Sequence, residues 1–275
     1  MKIRFLFFTL TILLIAMLCA CGSNTEELES RFDKILPDNN VLAVLDDTVL
    51  YFSDHTLNLK NIIDGEKPNG GYCFVDGTLY FSTSRENGAY DFSFLIYKCD
   101  IDGNNIKLVF EKHSYRTHPW AVANNGTFYV EYFSNNAFDE KARTLDRYSI
   151  FSGTYETVST GEDIRLSDYR ENRKEGISVT KNDESIDIVD ARNNAIYKIE
   201  HEMLHTGELG ESLSGIKYEF YDVNIVDGRI YLIYRIQAST PYPYFICEYI
   251  SETNGLRFTT FFLSDDIDTI HVERM

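Results

Sequence analysis

Along most of the chain, short runs of apolar and aromatic residues alternate with polar ones at the spacing of strands that bury one face. Phe94-Leu95-Ile96-Tyr97-Lys98-Cys99 and Tyr244-Phe245-Ile246-Cys247-Glu248-Tyr249 are representative. Tyr and Phe number 19 each, against one Trp and five Pro. Aromatic side chains at that density, set among Val, Ile and Thr, fit a pleated and half-buried surface. Helical periodicity is nearly absent. One exception is Thr25 to Leu36, where Leu28, Phe32, Ile35 and Leu36 predict a short amphipathic helix. The other departure is Phe5 to Leu18, an almost unbroken apolar run.

The strand pattern repeats. A glycine precedes a strand in Asp76-Gly77-Thr78-Leu79-Tyr80-Phe81, Asn125-Gly126-Thr127-Phe128-Tyr129-Val130, Glu175-Gly176-Ile177-Ser178-Val179 and Asp227-Gly228-Arg229-Ile230-Tyr231-Leu232, at spacings of 49, 50 and 52 residues. Asp-Gly and Asn-Gly are hairpin signals because both turn positions need positive φ. A second turn follows inside each unit, at Asp102-Gly103-Asn104, Ser152-Gly153, Asn193-Asn194 and Asn254-Gly255. Each unit therefore reads as a four-stranded antiparallel meander. One such sheet cannot bury both faces alone, whereas radial stacking can, so the expected fold is an all-β propeller.

The ends point to closure of a ring. Val41 to Val44, Val49 to Ser53 and Leu57 to Ile63 supply three strands, and Ile267 to Arg274 alternates suitably to supply the fourth. Four complete units and this split one make twenty strands, or five blades. Six is the alternative count, and a large β-sandwich the alternative architecture. Leu79-Tyr80-Phe81-Ser82-Thr83, with Ile96-Tyr97-Lys98-Cys99-Asp100-Ile101-Asp102-Gly103-Asn104, resembles the low-density-lipoprotein-receptor-type (YWTD-like) propellers found in many Gram-positive lipoproteins; Leu50-Tyr51-Phe52-Ser53-Asp54 is a weaker echo. The resemblance implies a binding or scaffolding propeller and carries no catalytic residue over.

The first residues have the parts of an export signal: Lys2 and Arg4, the apolar run, then Leu18-Cys19-Ala20-Cys21. The run is too short to span a bilayer comfortably. Its end resembles the bacterial lipobox, in which Ala20 admits the peptidase and the Cys21 thiol carries the diacylglycerol. Cys19 is unusual at the tolerant position. The resemblance implies a bacterial lipoprotein lying outside the cytoplasm, with membrane as its partner through lipid on Cys21. Two acyl chains anchor stably where one binds marginally. Residues 1–20 are then the signal peptide, 21–40 the lipidated N-terminus and tether, and 41–275 the propeller domain. An ordinary cleaved signal or an uncleaved anchor is the competing reading.

Charge narrows the partners. Loss of residues 1–20 removes Lys2 and Arg4 and no acid, so the formal charge goes from −17 to −19. That excludes nucleic acid and electrostatic adhesion to anionic lipid. With Cys21 acylated, Cys73, Cys99 and Cys247 remain, too few for a disulfide framework. Cys73 and Cys99 fall on strands separated by a third, which puts them beyond disulfide reach.

The sharpest candidate chemistry is His201-Glu202-Met203-Leu204-His205, an H-E-x-x-H. On a helix His201 and His205 share a face and can bind zinc, with Glu202 as general base. About eleven residues more than in the other units sit at this motif, between blades. Charged Lys198, the nearby Gly207 and the want of a recognisable second motif around Glu211 or Glu219 count against zinc hydrolysis. Asp100-Ile101-Asp102-Gly103-Asn104-Asn105 has oxygen-rich composition without the third acid and distal Glu of a calcium loop. Asp265, Asp266 and Asp268 read as a solvated acidic loop. Tyr115, His118 and Trp120, and the stiff run Pro241-Tyr242-Pro243-Tyr244, are aromatic candidates for protein or glycan contact, or equally for packing between blades. No nucleophile elbow, P-loop or Cys/His nucleophile pair is present. The leading expectation is a non-enzymatic module, without cofactor, that binds an envelope protein, peptide or glycan. A sensor or assembly accessory is a related reading. The alternative is a zinc hydrolase using His201, Glu202 and His205.

Overall fold

The computed structural model describes residues 25–36, 40–134, 140–169, 176–238, 241–264 and 270–275. Cys21 and its lipobox, and Asp265, Asp266 and Asp268, lie outside them. The described residues form nineteen strands in five antiparallel sheets, four of them four-stranded and one three-stranded. They divide into two compact units, residues 39–175 with 267–275 and residues 1–38 with 176–266. Among the described residues no helix is long and apolar enough to cross a membrane.

The first unit holds three sheets. One comprises β1 (Val41–Leu45), β2 (Val49–Tyr51) and β3 (Thr56–Asn58), completed by β19 (Ile270–Arg274) in the order β19-β1-β2-β3. The strand expected from the C-terminus thus pairs where the pattern required it, with Ala43 opposite Val272 and Leu45 opposite Ile270. The second sheet runs β4 (Lys67–Val75), β5 (Thr78–Gly88), β6 (Asp91–Cys99) and β7 (Lys107–Tyr115); the third runs β8 (Trp120–Asn124), β9 (Thr127–Phe133), β10 (Arg143–Ser149) and β11 (Tyr155–Thr160).

The second unit pairs β12 (Ile177–Lys181), β13 (Ser185–Asp190) and β14 (Ala195–Glu200), and separately β15 (Tyr218–Val226), β16 (Arg229–Ile236), β17 (Tyr242–Ile250) and β18 (Gly255–Ser264). It also contains α1 (Thr25–Phe32) and α2 (Gly207–Leu213).

The hairpin turns are those read from the repeat. Asp76-Gly77, Asn125-Gly126 and Asp227-Gly228 all have both residues at positive φ, and they join β4 to β5, β8 to β9 and β15 to β16 as two-residue turns. Gly176 departs from the pattern, because it opens β12 with no described strand before it. Leu166–Tyr169 form a 3-10 turn there. The sheet it begins has three described strands instead of the expected four.

Packing between the sheets of the first unit is close. A Cβ at Gly71 would meet Ser82 Oγ at 2.5 Å and Ala121 Cβ at 3.1 Å, so only glycine lets β4 lie this near β8. Between β7 and the third sheet lies a polar knot around Asp146, which is fully buried. Its carboxylate accepts from Tyr155 Oη, from Thr157 Oγ1 at 2.7 Å and from Lys112 Nζ at 3.4 Å. Tyr115 and Tyr155 join hydroxyls, and burial pushes both phenols well above their ordinary range, so both stay protonated. Cys73 and Cys99 sit on β4 and β6 with β5 between them, and both are free thiols.

Two segments differ from expectation. The amphipathic helix forms, over Thr25–Phe32, but it does not hang in a loose tether: Leu28, Phe32 and Ile35 are buried in the core of the second unit. Phe32 stacks on Phe261 at 4.6 Å between ring centroids, and burying that aromatic face outweighs leaving the segment extended. Tyr242-Pro243-Tyr244 belong to β17 instead of a loop. Pro243 is tolerated because β17 pairs with β16 only from Tyr244 onward, so its missing N–H breaks no bond to that neighbour.

Candidate functional site

In the second unit β14 ends at Glu200 and passes into a five-residue 3-10 turn, His201–His205, before α2. His201 N–H donates to Glu184 O at 2.9 Å, which stitches the turn to the short β12–β13 connection. Ser185 pairs with Glu200 directly behind it. Met203 and Leu204 are buried, and with Leu209 and Leu213 of α2 they plug the core. The residues beyond the repeat thus contribute four side chains to this core.

The turn corrects the helical frame in which H-E-x-x-H binds zinc. A 3-10 turn advances about 120° per residue, so side chains four apart are rotated from one another instead of stacking one above the other, although His201 and His205 line one cleft. His205 Nε2 instead lies 3.3 Å from Tyr218 Oη. Among the described residues no group of three or more His, Cys, Asp or Glu side chains is placed to hold a metal ion.

His201 does stand at the junction of two clefts. One, of about 500 Å³, is lined by Asp183, Glu184, Ser185, Lys198, Glu200, His201, Glu202 and His205. The other, of about 380 Å³, shares Asp183 and His201 and adds Lys181, Asn182, Ile186, Tyr218, Glu219, Phe220 and Tyr234. One end of the pair is a wall of carboxylates, the other an aromatic surface. Three basic side chains lie nearby: Lys198 lines the first cleft, while Lys181 and Arg235 are bound to neighbours. Lys181 Nζ donates to Phe220 O at 3.0 Å and lies 5.0 Å from the Phe220 ring centroid, while Arg235 Nε donates to Glu219 Oε1 at 2.8 Å. Asp183, Glu184, Glu200, Glu202 and Glu219 outnumber Lys181 and Lys198 along the two linings, so the clefts carry negative formal charge.

The aromatic candidates separate by burial. Tyr115 is 2% exposed within the Asp146 knot, and Tyr244 is fully buried between Tyr221 and Phe262. Both are packing residues. Trp120 is 41% exposed, and Tyr242 is half-buried with the Arg235 guanidinium 5.5 Å from its ring centroid. Asp100–Asn105 is a tight turn whose oxygens are taken by its own donors: Asn104 N–H and Nδ2 give to Asp102, and Asn105 Nδ2 to Asp100. A Ser84–His118 pair escaped notice in the sequence, with Oγ to Nε2 at 2.6 Å. Ser84 is only 3% exposed, so the pair is structural.

Sequence reasoning reached His201, Glu202 and His205, and weighed Lys198 and Glu219 beside them, but missed Asp183 and Glu184. The excess of residues after β14 was the one signal of a cleft here. The acids across from it come from a different hairpin and have no spacing to betray them.

No family model matches the chain, and no curated protein matches it. Among solved structures it is similar to the Bacteroides ovatus xyloglucan PUL GH43B protein, at 14% identity and a TM-score of 0.30 over 75% of this chain and 42% of that one. It is also similar to xylan beta-1,4-xylosidase from Bacillus halodurans C-125, at 12% identity and a TM-score of 0.26 over 76% and 43%. A third is the endo-arabinase from Bacteroides thetaiotaomicron VPI-5482, at 11% identity and a TM-score of 0.26 over 72% and 81%. The chain thus spans less than half the length of the first two.

Proposed function

We propose that this chain is an extracytoplasmic lipoprotein, anchored through lipid on Cys21, whose sheets form a β-propeller that serves as a non-enzymatic binding module. The export signal and lipobox support the location. The fifty-residue period, its two-residue turns and the β19–β1 closure support the propeller. The observation that carries the function is the paired cleft around His201, whose wall of carboxylates meets the aromatic surface of Tyr218 and Phe220. Its charge favours a cationic ligand, and the aromatic side suits aliphatic stems and guanidinium planes. A Lys/Arg-bearing peptide or protein segment is the best match. An acidic glycan is repelled.

The test is titration of the purified chain with a fluorescent Lys/Arg-rich peptide and with its Glu-substituted counterpart, at low and physiological salt. The basic peptide binds, more weakly as salt rises, and Asp183→Asn with Glu202→Gln lowers affinity by roughly tenfold, about 1.4 kcal/mol. Equal binding of both peptides, or no effect of the two substitutions, defeats the reading. The zinc reading is decided separately by metal analysis of the wild type beside His205→Ala, and stoichiometric zinc lost in the variant restores it. Whole-cell crosslinking then identifies the partner.

A further inference from the structure

We propose that the second unit is held close against the bilayer by a short link ending at α1, rather than swinging on a leash of about twenty residues. The proposal rests on lipidation of Cys21 and deepens that reading. The geometry begins with α1, whose apolar face is inserted, not draped. Leu28 is 1% and Phe32 3% exposed, and the Phe32 ring lies 4.6 Å from Phe261 and 5.5 Å from both Phe245 and Phe258. Polar bonds fix its far end to the end of α2. Arg31 Nη1 donates to Ser214 O at 2.9 Å, and Ser212 Oγ donates to Arg31 O at 3.0 Å.

Chain geometry supplies the rest. From Cys21 to Thr25 there are four virtual bonds of about 3.8 Å, so the first pinned residue lies no more than about 15 Å from the lipidated one. Were residues 21–40 unpinned, a coil of that length would have an end-to-end distance of about 25 Å and a fully extended reach of roughly 65 Å. Docking of α1 removes that freedom. From Thr25 through α1, across the Arg31–Ser212 bond and back along α2, the path to His205 keeps the clefts within about 40 Å of Cys21. Charge does not create this proximity, because α1 carries Glu26, Glu27 and Glu29 on its exposed side. The covalent link imposes it against weak repulsion from anionic lipid. The unit is therefore poised for cationic segments of partners that also sit at the membrane.

The experiment uses the lipidated full chain in phosphatidylcholine vesicles doped with an acceptor fluorophore lipid. The donor is placed by Glu211→Cys, on the exposed side of α2. Native thiols interfere little: burial pushes Cys73 and Cys99 up to about 11, and Cys247 is fully buried. At native spacing energy transfer is strong. Insertion of twenty Gly/Ser residues between Gly22 and Thr25 lowers it roughly twofold or more, and Leu28→Ala with Phe32→Ala moves it the same way by undocking α1. Transfer unchanged by the insertion, in protein that still floats with the vesicles, overturns the proposal. The insertion touches no core residue, so that outcome does not depend on the folding of the double variant. Protein that fails to float has lost the lipid reading itself, which is a separate result.

Discussion

Asp146 offers a quantitative trial of the packing in the first unit. The carboxylate has no exposed surface, and it accepts from Tyr155, Thr157 and Lys112. Asp146→Ala removes the acceptor of the Tyr155 and Thr157 hydroxyls and leaves Lys112 facing a void; Thr157 is exposed and Lys112 38% exposed, so both can turn to water. Tyr155 retains the Tyr115 hydroxyl as a partner. The loss is thus dominated by charge-assisted bonds to Asp146 and by the cavity, about 3–5 kcal/mol together. Lys112→Met keeps the two hydroxyl donors on the carboxylate and preserves the side chain's stem over the Tyr155 ring, so it costs about 1–2 kcal/mol. In urea unfolding with a slope near 3 kcal/mol/M, Asp146→Ala lowers the midpoint by about 1 M or more. The double variant falls short of the summed single losses because the two side chains share a bond. A loss under about 1 kcal/mol for Asp146→Ala, or Lys112→Met as damaging as Asp146→Ala, refutes this account of the knot.

Asp190 governs part of the acid limb. Hydrogen bonds from Arg192 hold its carboxyl below the ordinary range, so its contribution is present above about pH 4 and is lost as pH falls below that. Asp190→Asn accordingly lowers Tm at pH 7 and converges with the wild type near pH 2, as followed by melting across pH. Cys73, Cys99 and Cys247 resist alkylation at pH 7 in the native protein and react together in denaturant, which mass spectrometry counts; prompt native modification of Cys247 contradicts its burial. Val272→Asp puts a charge at a fully buried position opposite Ala43 and lowers Tm by about 10 °C or more, whereas an unchanged melt means β19 does not close that sheet.

The turns were the most legible part of the chain. Asp76-Gly77, Asn125-Gly126 and Asp227-Gly228 announce themselves because few residue pairs tolerate two successive positive φ values. Strand count was less secure at Gly176, where the preceding strand has no described counterpart and a 3-10 turn intervenes. Burial of individual aromatics could not be read at all. Tyr115 and Trp120 look alike in sequence, yet one lies inside a hydrogen-bonded knot and the other at the surface. The acids of the clefts were illegible for a related reason: Asp183 and Glu202 converge through the pairing of β13 with β14, a contact that leaves no local periodicity. The local conformation at H-E-x-x-H was not legible either, because burial of Met203 and Leu204 in the core accompanies a 3-10 turn there instead of a helix.

The pairing of β19 with β1 also sets an order in time. His271 lies opposite Val44, so a sheet begun near residue 41 cannot be finished until residues near 271 exist. The second unit is likewise assembled from chain near residue 30 and chain beyond residue 176. In a polypeptide delivered N-terminus first, β1 therefore waits with one unpaired edge until residues 270–274 are made, whereas the second unit has all its described strands by residue 264. The other four sheets are each built from strands consecutive in the chain and can pair as they are made, so the β19–β1 closure, across more than two hundred residues, is the late step of folding.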